Sequence, residues 1–257
     1  MLLLLSCAKT MSERSNIVLS TGTTPQFGDE ASQIAFEMSQ LSVNELEQAL
    51  RINAKLAVQN YHRFQEFHAD DKKALQALMA YTGMVFKRIN PGDFTQEELL
   101  YAQDHLRLTS FCYGLLRPLD FIKPYRMEGN VKLPGLGDLS MFEYWRPRLT
   151  DIFIETIKKQ GSGILLNLAS DEMKQLFDWN KVVHSVEVIT PDFKVWKNGK
   201  LNTIVIYTKM MRGEMTRFVL KNKIENPEEL KQFSWEGFEY NEPLSNERNL
   251  LFTSAPF

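Results

Sequence analysis

The chain opens on an unbroken apolar run, Met1 to Leu5, that ends at Ser6. Five residues cannot cross a bilayer, which takes roughly 20, and a signal peptide needs a basic segment and a longer apolar stretch. The run therefore reads as a short buried strand over residues 2–6. From Met11 to Phe27 Ser and Thr abound and Gly22 and Pro25 interrupt, as in a loop. Helical periodicity covers residues 30–67, where Ser42 and Glu45 are spaced as a capping box ahead of Leu46 and Leu50. Asp70 and Asp71 are placed to cap a further helix through Leu78. Residues 84–89 alternate like a strand, Asn90-Pro91-Gly92-Asp93 turns the chain, and Thr95 with Glu98 starts a helix to about Leu106.

Ser140 with Glu143 opens a helix that Pro147 should kink or end, with Ile152 to Ile157 continuing it. Gly161-Ser162-Gly163 breaks the pattern, and Ile164–Leu168 has the continuous apolar character of a central strand. Val182–Ile189, Phe193–Trp196 and Leu201–Tyr207 read as strands, the last two joined across the hairpin signal Asn198-Gly199. Residues 209–222 form a helix, and short strands follow near Phe238 and over Leu250–Phe252. Helices and strands mix without strict alternation. The expectation is one compact mixed α/β domain spanning residues 1–257, with a mixed central sheet and helices around it.

Composition narrows the function classes. Of 257 residues 44% are hydrophobic and 24% charged, which excludes a disordered chain. Thirty Lys and Arg against 32 Asp and Glu leave a net charge of −2, so binding to a polyanion cannot run on bulk charge. The charges are segregated, however. Residues 105–132 hold Arg107, Arg117, Lys123, Arg126 and Lys132 against Asp120 and Glu128; residues 209–223 hold Lys209, Arg212, Arg217, Lys221 and Lys223 against Glu214. Acidic stretches near residues 29–47 and 225–247 offset them. The two cysteines, Cys7 and Cys112, form no CxxC pair, and the four histidines are scattered. The sequence thus indicates neither a disulfide framework nor a metal site nor any cofactor, and it suits a reducing, cytoplasmic setting.

Five segments have the residue types for chemistry. On the helix from Lys209, at 100° per residue, Met211, Met215, Phe218 and Val219 take one side, and Lys209, Arg212 and Arg217 the other. Gly213 sits among those cations at a helix-interior cost of about 1 kcal/mol, so it would admit a phosphate or another backbone between Arg212 and Arg217. An ordinary amphipathic surface helix reads the same way. Arg117 and Arg126 lie in turn-like sequence among aromatics; they suit phosphate recognition, or equally internal ion pairs to Asp120 and Glu128. Ser170, at the end of the 164–168 strand, is placed to cap a helix that begins with Asp171 and Glu172, a position where anionic ligands are often held. Lys9 follows the first strand as a phosphate contact, an amine nucleophile or a solvated side chain. Finally, Leu133-Pro134-Gly135-Leu136-Gly137 resembles the hairpin of a helix-hairpin-helix element, although the residues before it do not read as a helix.

These segments occur together, in order, in one known family. The chain resembles the bacterial peroxide-stress protein YaaA family through the first strand with Ala8-Lys9-Thr10, His105-Leu106-Arg107, Tyr113-Gly114-Leu115-Leu116-Arg117-Pro118-Leu119-Asp120 and Pro124-Tyr125-Arg126-Met127-Glu128. The likeness continues through Asn167-Leu168-Ala169-Ser170-Asp171-Glu172 and Lys209 to Arg217. Cys7 departs from it, because family members usually carry Pro there. The resemblance implies a cytoplasmic protein of oxidative-stress protection that lowers free iron. It also implies a basic cleft and a helix-hairpin-helix-like element for DNA, placed here on Tyr113–Arg126.

Two functions are then open. In the first, Lys9, Arg107, Arg117, Arg126, Lys209, Arg212 and Arg217 line a cleft that binds DNA with weak sequence specificity. In the second, an enzyme acts on a nucleotide or other small anionic metabolite, with Lys9, Ser170 and Glu172 as candidate catalytic groups and the arginines as a clamp. The resemblance favours the binder. Convergence of Lys9, Ser170, Glu172 and Arg212 on one deep pocket would favour the small ligand.

Overall fold

The computed structural model describes residues 1–15, 21–69, 74–160 and 162–254. The opening apolar run becomes strand β1 (Leu2–Leu5), all four residues buried. β1 has a parallel neighbour on either edge, β3 (Leu106–Ser110) and β6 (Ile164–Leu168), and its side chains are buried on both faces, as is usual for an interior strand of a covered parallel sheet. Leu3 pairs with Leu106 on one side and Leu166 on the other.

The sheet extends in the order β4-β3-β1-β6-β7-β10-β9. β4 (Gly114–Leu116) is antiparallel to β3, and β7 (Glu187–Lys197) and β10 (Asn249–Ser254) continue the parallel set. β9 (Glu239–Tyr240) and β8 (Lys200–Asn202) pair antiparallel with β10 and β7. A separate two-stranded ribbon joins β2 (Leu75–Gln76) to β5 (Phe121–Ile122). The expected mixed α/β fold with a mixed central sheet is present.

Helices α1 (Gly28–Ser39), α2 (Val43–Leu50) and α3 (Ala54–Gln65) fill the predicted helical stretch, with the Ser42–Glu45 capping box formed. The Thr95–Glu98 and Ser140–Glu143 boxes likewise start α6 (Gln96–His105) and α7 (Met141–Lys159). Pro147 does not end α7, because Tyr144, Trp145, Leu149 and Phe153 form a buried face that continues across it. The predicted caps Asp70 and Asp71 lie outside the described residues. After them come β2 and the single turn α4 (Ala77–Ala80).

Four sequence expectations fail. The helix expected through Leu78 is interrupted by strand β2 at Leu75–Gln76. Residues 84–89 form helix α5 (Met84–Ile89), not a strand: Phe86 and Ile89, three apart, are both buried, a spacing that suits a helix as well as alternation suits a strand. Val182–Ser185 belongs to helix α9 (Trp179–Ser185), started by the Asp178 carboxylate accepting the Lys181 N–H at 3.1 Å, and the strand begins only at Glu187. β8 ends at Asn202, and Val205–Tyr207 already belong to helix α10 (Val205–Asn222). The Asn198-Gly199 hairpin is as expected, with both residues at positive φ, 53° and 71°.

Candidate active site at the carboxyl ends of the central strands

β1 lies between β3 and β6, so the chain leaves it to one side for β3 and returns to the other for β6. Crevices outside the carboxyl ends of parallel strands, at such a reversal, are common ligand sites in α/β sheets. Here the crevice is a cavity of about 320 Å3. Ser6 to Thr10 after β1 line it, as do Ser170, Glu172 and Met173 after β6. Helix α8 (Asp171–Lys174) starts there. Tyr125, Arg126 and Met127 enter from the extended segment after β5, Met84 to Phe86 from α5, and Lys209 and Arg212 from α10.

Close backbone approach builds the wall. A Cβ on Gly83 would stand 2.9 Å from that of Ala8, so a larger residue would push the start of α5 off the loop after β1. A Cβ on Gly213 would stand 2.4 Å from the Val85 carbonyl oxygen and 2.6 Å from the Arg88 Cβ. The backbone that Gly213 admits is therefore α5, and no room is left there for a phosphate. The cationic side of α10 is thus not a free surface: Gly213, Thr216 and Leu220 are buried, as Met211, Met215 and Val219 are.

Charge in the cavity is unevenly balanced. Lys9 Nζ lies 2.5 Å from Glu128 Oε2, and Arg126 Nη2 lies 3.1 Å from Glu128 Oε1, so one carboxylate ties two cations together. Arg126 Nε is buried with no hydrogen-bond partner. Burial lowers the Arg212 guanidinium, opposed by the negative charges of Asp171 and Asp192. Neither Arg212 nor Lys209 has a carboxylate within ion-pair distance among the described residues. Ser170 holds the cap position of α8, but its hydroxyl makes no cap bond. Instead, Ser6 Oγ accepts the Ser170 N–H at 2.9 Å and donates to Ser170 Oγ at 3.3 Å, which ties the loops after β1 and β6 together. Burial and the Glu172 charge push the Cys7 thiol up to about 12.

The other cations named from sequence lie elsewhere. Arg107 donates to the carbonyls of Gln103 and Leu106 at 2.9 Å, closing the end of α6. Burial, and then Arg117, lower it to about 10. Arg117 pairs with the buried Asp120 at 2.9 Å. Arg217 holds both Asp93 carboxylate oxygens at 2.7 Å and donates to the Ile89 carbonyl. Neither segment proposed as a hairpin element joins two helices. Tyr113–Arg126 contributes β4 and β5, and Leu133–Gly137 makes one 3-10 turn, whose Gly135 N–H already donates to the Glu37 carboxylate at 3.1 Å. The expected basic cleft is not seen as such; of its seven cations, Lys9, Arg126, Lys209 and Arg212 line this cavity.

The family model of the peroxide stress protein YaaA matches residues 1–244. The chain belongs to that family. A Bacteroides thetaiotaomicron relative is 66% identical over 255 residues, covering 99% of both chains. A Porphyromonas gingivalis relative is 48% identical over 254 residues, 98% of this chain and 99% of its own. One from Clostridium beijerinckii is 39% identical over 254 residues, 98% of this chain and 97% of its own. All three carry the name UPF0246 protein.

In this YaaA-family chain the structure brings together Lys9, Arg126, Ser170, Glu172, Lys209 and Arg212, and not Arg107, Arg117 or Arg217. Sequence reasoning missed the buried hydroxyls behind the cavity. Tyr125 Oη lies 2.7 Å from Tyr81 Oη and 2.6 Å from Ser110 Oγ. Burial raises both phenols well above the usual tyrosine range. Nothing in the spacing of residues 81, 110 and 125 announces them. Among the described residues no cluster of three or more His, Cys, Asp or Glu could hold a metal ion, and no helix is long and apolar enough to cross a membrane.

Proposed function

We propose that this member of the peroxide stress family works, in the reducing cytoplasm, by binding and acting on a small anionic metabolite of the nucleotide or sugar-phosphate kind. The observation that carries this reading is the convergence of Lys9, Arg126, Ser170, Glu172, Lys209 and Arg212 on one cavity. Four cations face one lining carboxylate, in a volume within the usual range for small-ligand sites. Lys9, Lys209, Arg126 and Arg212 neutralise the anion. Glu172 is the lining carboxylate, placed to take or return a proton, and the linked Ser6 and Ser170 hydroxyls supply neutral donors.

Duplex DNA is the competing ligand, and its case rests on Lys9 and Lys209, which are exposed. Binding along a groove would also call on Arg107, Arg117 and Arg217, which are committed to protein partners. Calorimetric titration with AMP, and separately with a DNA duplex, compares wild type with Arg212→Ala and Arg217→Ala. Saturable AMP binding, lost in Arg212→Ala and kept in Arg217→Ala, is the expected result. Duplex binding weakened alike by both variants, with a salt slope near −0.9 per phosphate, would replace this reading with DNA recognition.

A further inference from the structure

Behind the cavity, hydroxyl protons outnumber their acceptors. Ser110 Oγ accepts backbone N–H groups from Cys112 at 3.2 Å and Tyr113 at 2.8 Å, which fills both of its lone pairs. Its own proton must then go to Tyr125 Oη, 2.6 Å away. One more proton makes the Tyr81–Tyr125 bond at 2.7 Å. Three hydroxyls joined by two such bonds leave one phenolic proton without an acceptor in the protein. Tyr125 lines the cavity and Tyr81 does not, so the arrangement that satisfies both rings has Tyr81 donating to Tyr125 and Tyr125 donating into the cavity. The next residue repeats the deficit: Arg126 lines the same cavity, and its Nε is buried with no partner. Unmet buried donors of this kind are costly, and they are usually explained by a missing acceptor.

We infer that Tyr125 and Arg126 form an oxyanion subsite, in which the Tyr125 hydroxyl and Arg126 Nε donate to oxygens of a ligand phosphate or carboxylate. The subsite deepens the small-anion reading above and depends on it. Ser110 and Tyr81 act as positioning residues: by donating to Tyr125 they use its lone pairs and turn its proton outward. Glu128 does the same for Arg126 by holding Nη2, leaving Nε for the ligand. An acceptor-only group with at least two oxygens would serve both donors, and phosphate and carboxylate share that chemistry.

Calorimetric titration of the full chain with inorganic phosphate, and separately with acetate, tests the assignment in wild type, Tyr125→Phe, Tyr81→Phe, Arg126→Lys and Arg212→Ala. Arg126→Lys keeps the charge and the Glu128 partner but lacks an Nε–H. Tyr125→Phe and Arg126→Lys are each expected to weaken binding about tenfold or more, as for hydrogen bonds to a charged group. Tyr81→Phe removes one positioning donor but keeps the Tyr125 proton, and should weaken binding measurably yet less than Tyr125→Phe does. The tighter-bound of the two probes identifies the source of the oxyanion. Wild-type affinity in both Tyr125→Phe and Arg126→Lys, with weak binding in Arg212→Ala, would overturn the subsite and leave the cavity reading standing. Failure of any anion to bind wild type would overturn both. Should Tyr125→Phe not fold, Arg126→Lys against wild type decides the matter alone.

Discussion

Gly213→Ala separates two forces that act on the same atom. In an isolated helix the change should stabilise by about 1 kcal/mol, because Ala loses less backbone freedom on folding. Here the new Cβ would stand 2.4 Å from the Val85 carbonyl oxygen and 2.6 Å from the Arg88 Cβ. Carbon–oxygen contacts ordinarily sit at roughly 3.3–3.6 Å, so α10 and α5 must part by about 1 Å. Neither obstacle is the far end of a flexible side chain, and rotation cannot relieve the clash. Overpacking of this kind costs about 1–3 kcal/mol, and more when backbone must move. The clash therefore outweighs the propensity gain, for a net loss of about 1–2 kcal/mol. In a chain of this size that lowers Tm by about 2–8 °C. Because Arg212 adjoins the displaced turn, AMP affinity should fall with it. Thermal melts followed by circular dichroism provide the assay, with Gly28→Ala as control, since a Cβ there meets nothing within 4 Å. A Tm for Gly213→Ala equal to or above wild type would refute the argument that α10 is seated on α5 by this close approach.

Other consequences are simpler to test. With Cys7 pushed up to about 12, its thiolate fraction at pH 7 is roughly 10⁻⁵, and burial raises Cys112 as well. Neither should form a dimedone-reactive sulfenate on brief peroxide exposure, and rapid labelling of Cys7 would show the thiol to be activated. Asp93 is lowered to about 2, chiefly by its hydrogen bonds from Arg217. A depressed carboxylate stabilises the fold above its unfolded value of about 3.9 and loses that contribution as pH falls through about 2. Asp93→Asn should thus be less stable than wild type at neutral pH by about 1 kcal/mol or less, since the pair is half-exposed, with the gap closing between about pH 4 and 2. A gap that persisted at pH 2 in urea melts would assign it to packing instead. Ser140→Ala should cost about 1 kcal/mol through loss of the α7 capping box, measured as a lower urea midpoint with an unchanged slope.

What could be read from the sequence was mostly short-range. The three capping boxes, the Asn198-Gly199 hairpin and the 164–168 strand each depend on residues within a few positions, and the fold leaves such chemistry in place. Residues 84–89 and 182–185 defeated the reading because, over six or four residues, periods of 2 and 3.6 place apolar side chains equally well. Packing against α10 decided the first, and the Asp178 cap the second. The site was half legible: Lys9, Ser170 and Glu172 follow apolar strands, and their position at strand ends marked them. Tyr81 and Tyr125 are 44 residues apart and meet only in the fold. Arg107 looked available because its partners are carbonyls, which every residue has. Arg117 was legible as either ligand contact or ion pair, and the buried Asp120 three residues on decided it.

The near-neutral total takes on a different meaning once the cations are sorted by partner. Arg217 and Lys221 are held by Asp93 and Glu98, Arg117 by Asp120, and Lys223 by Glu97. Around the cavity, Lys9 and Arg126 share Glu128, and Arg212 and Lys209 have no carboxylate in ion-pair contact, so four cations face Glu128 and Glu172. The surplus comes from three chain segments that bring Lys9, Arg126, and Lys209 with Arg212 to the carboxyl ends of β1 and β6, and topology rather than composition put it there. A surplus that small exerts little field at long range, since exposed charges are screened within about 8–10 Å at ordinary ionic strength. On the small-anion reading proposed above, it acts on what enters the cavity, where the largely buried Arg212 and the buried Arg126 Nε are less screened than a surface charge. On that reading, charge distributed this way serves to discriminate among small anions rather than to gather a polymer.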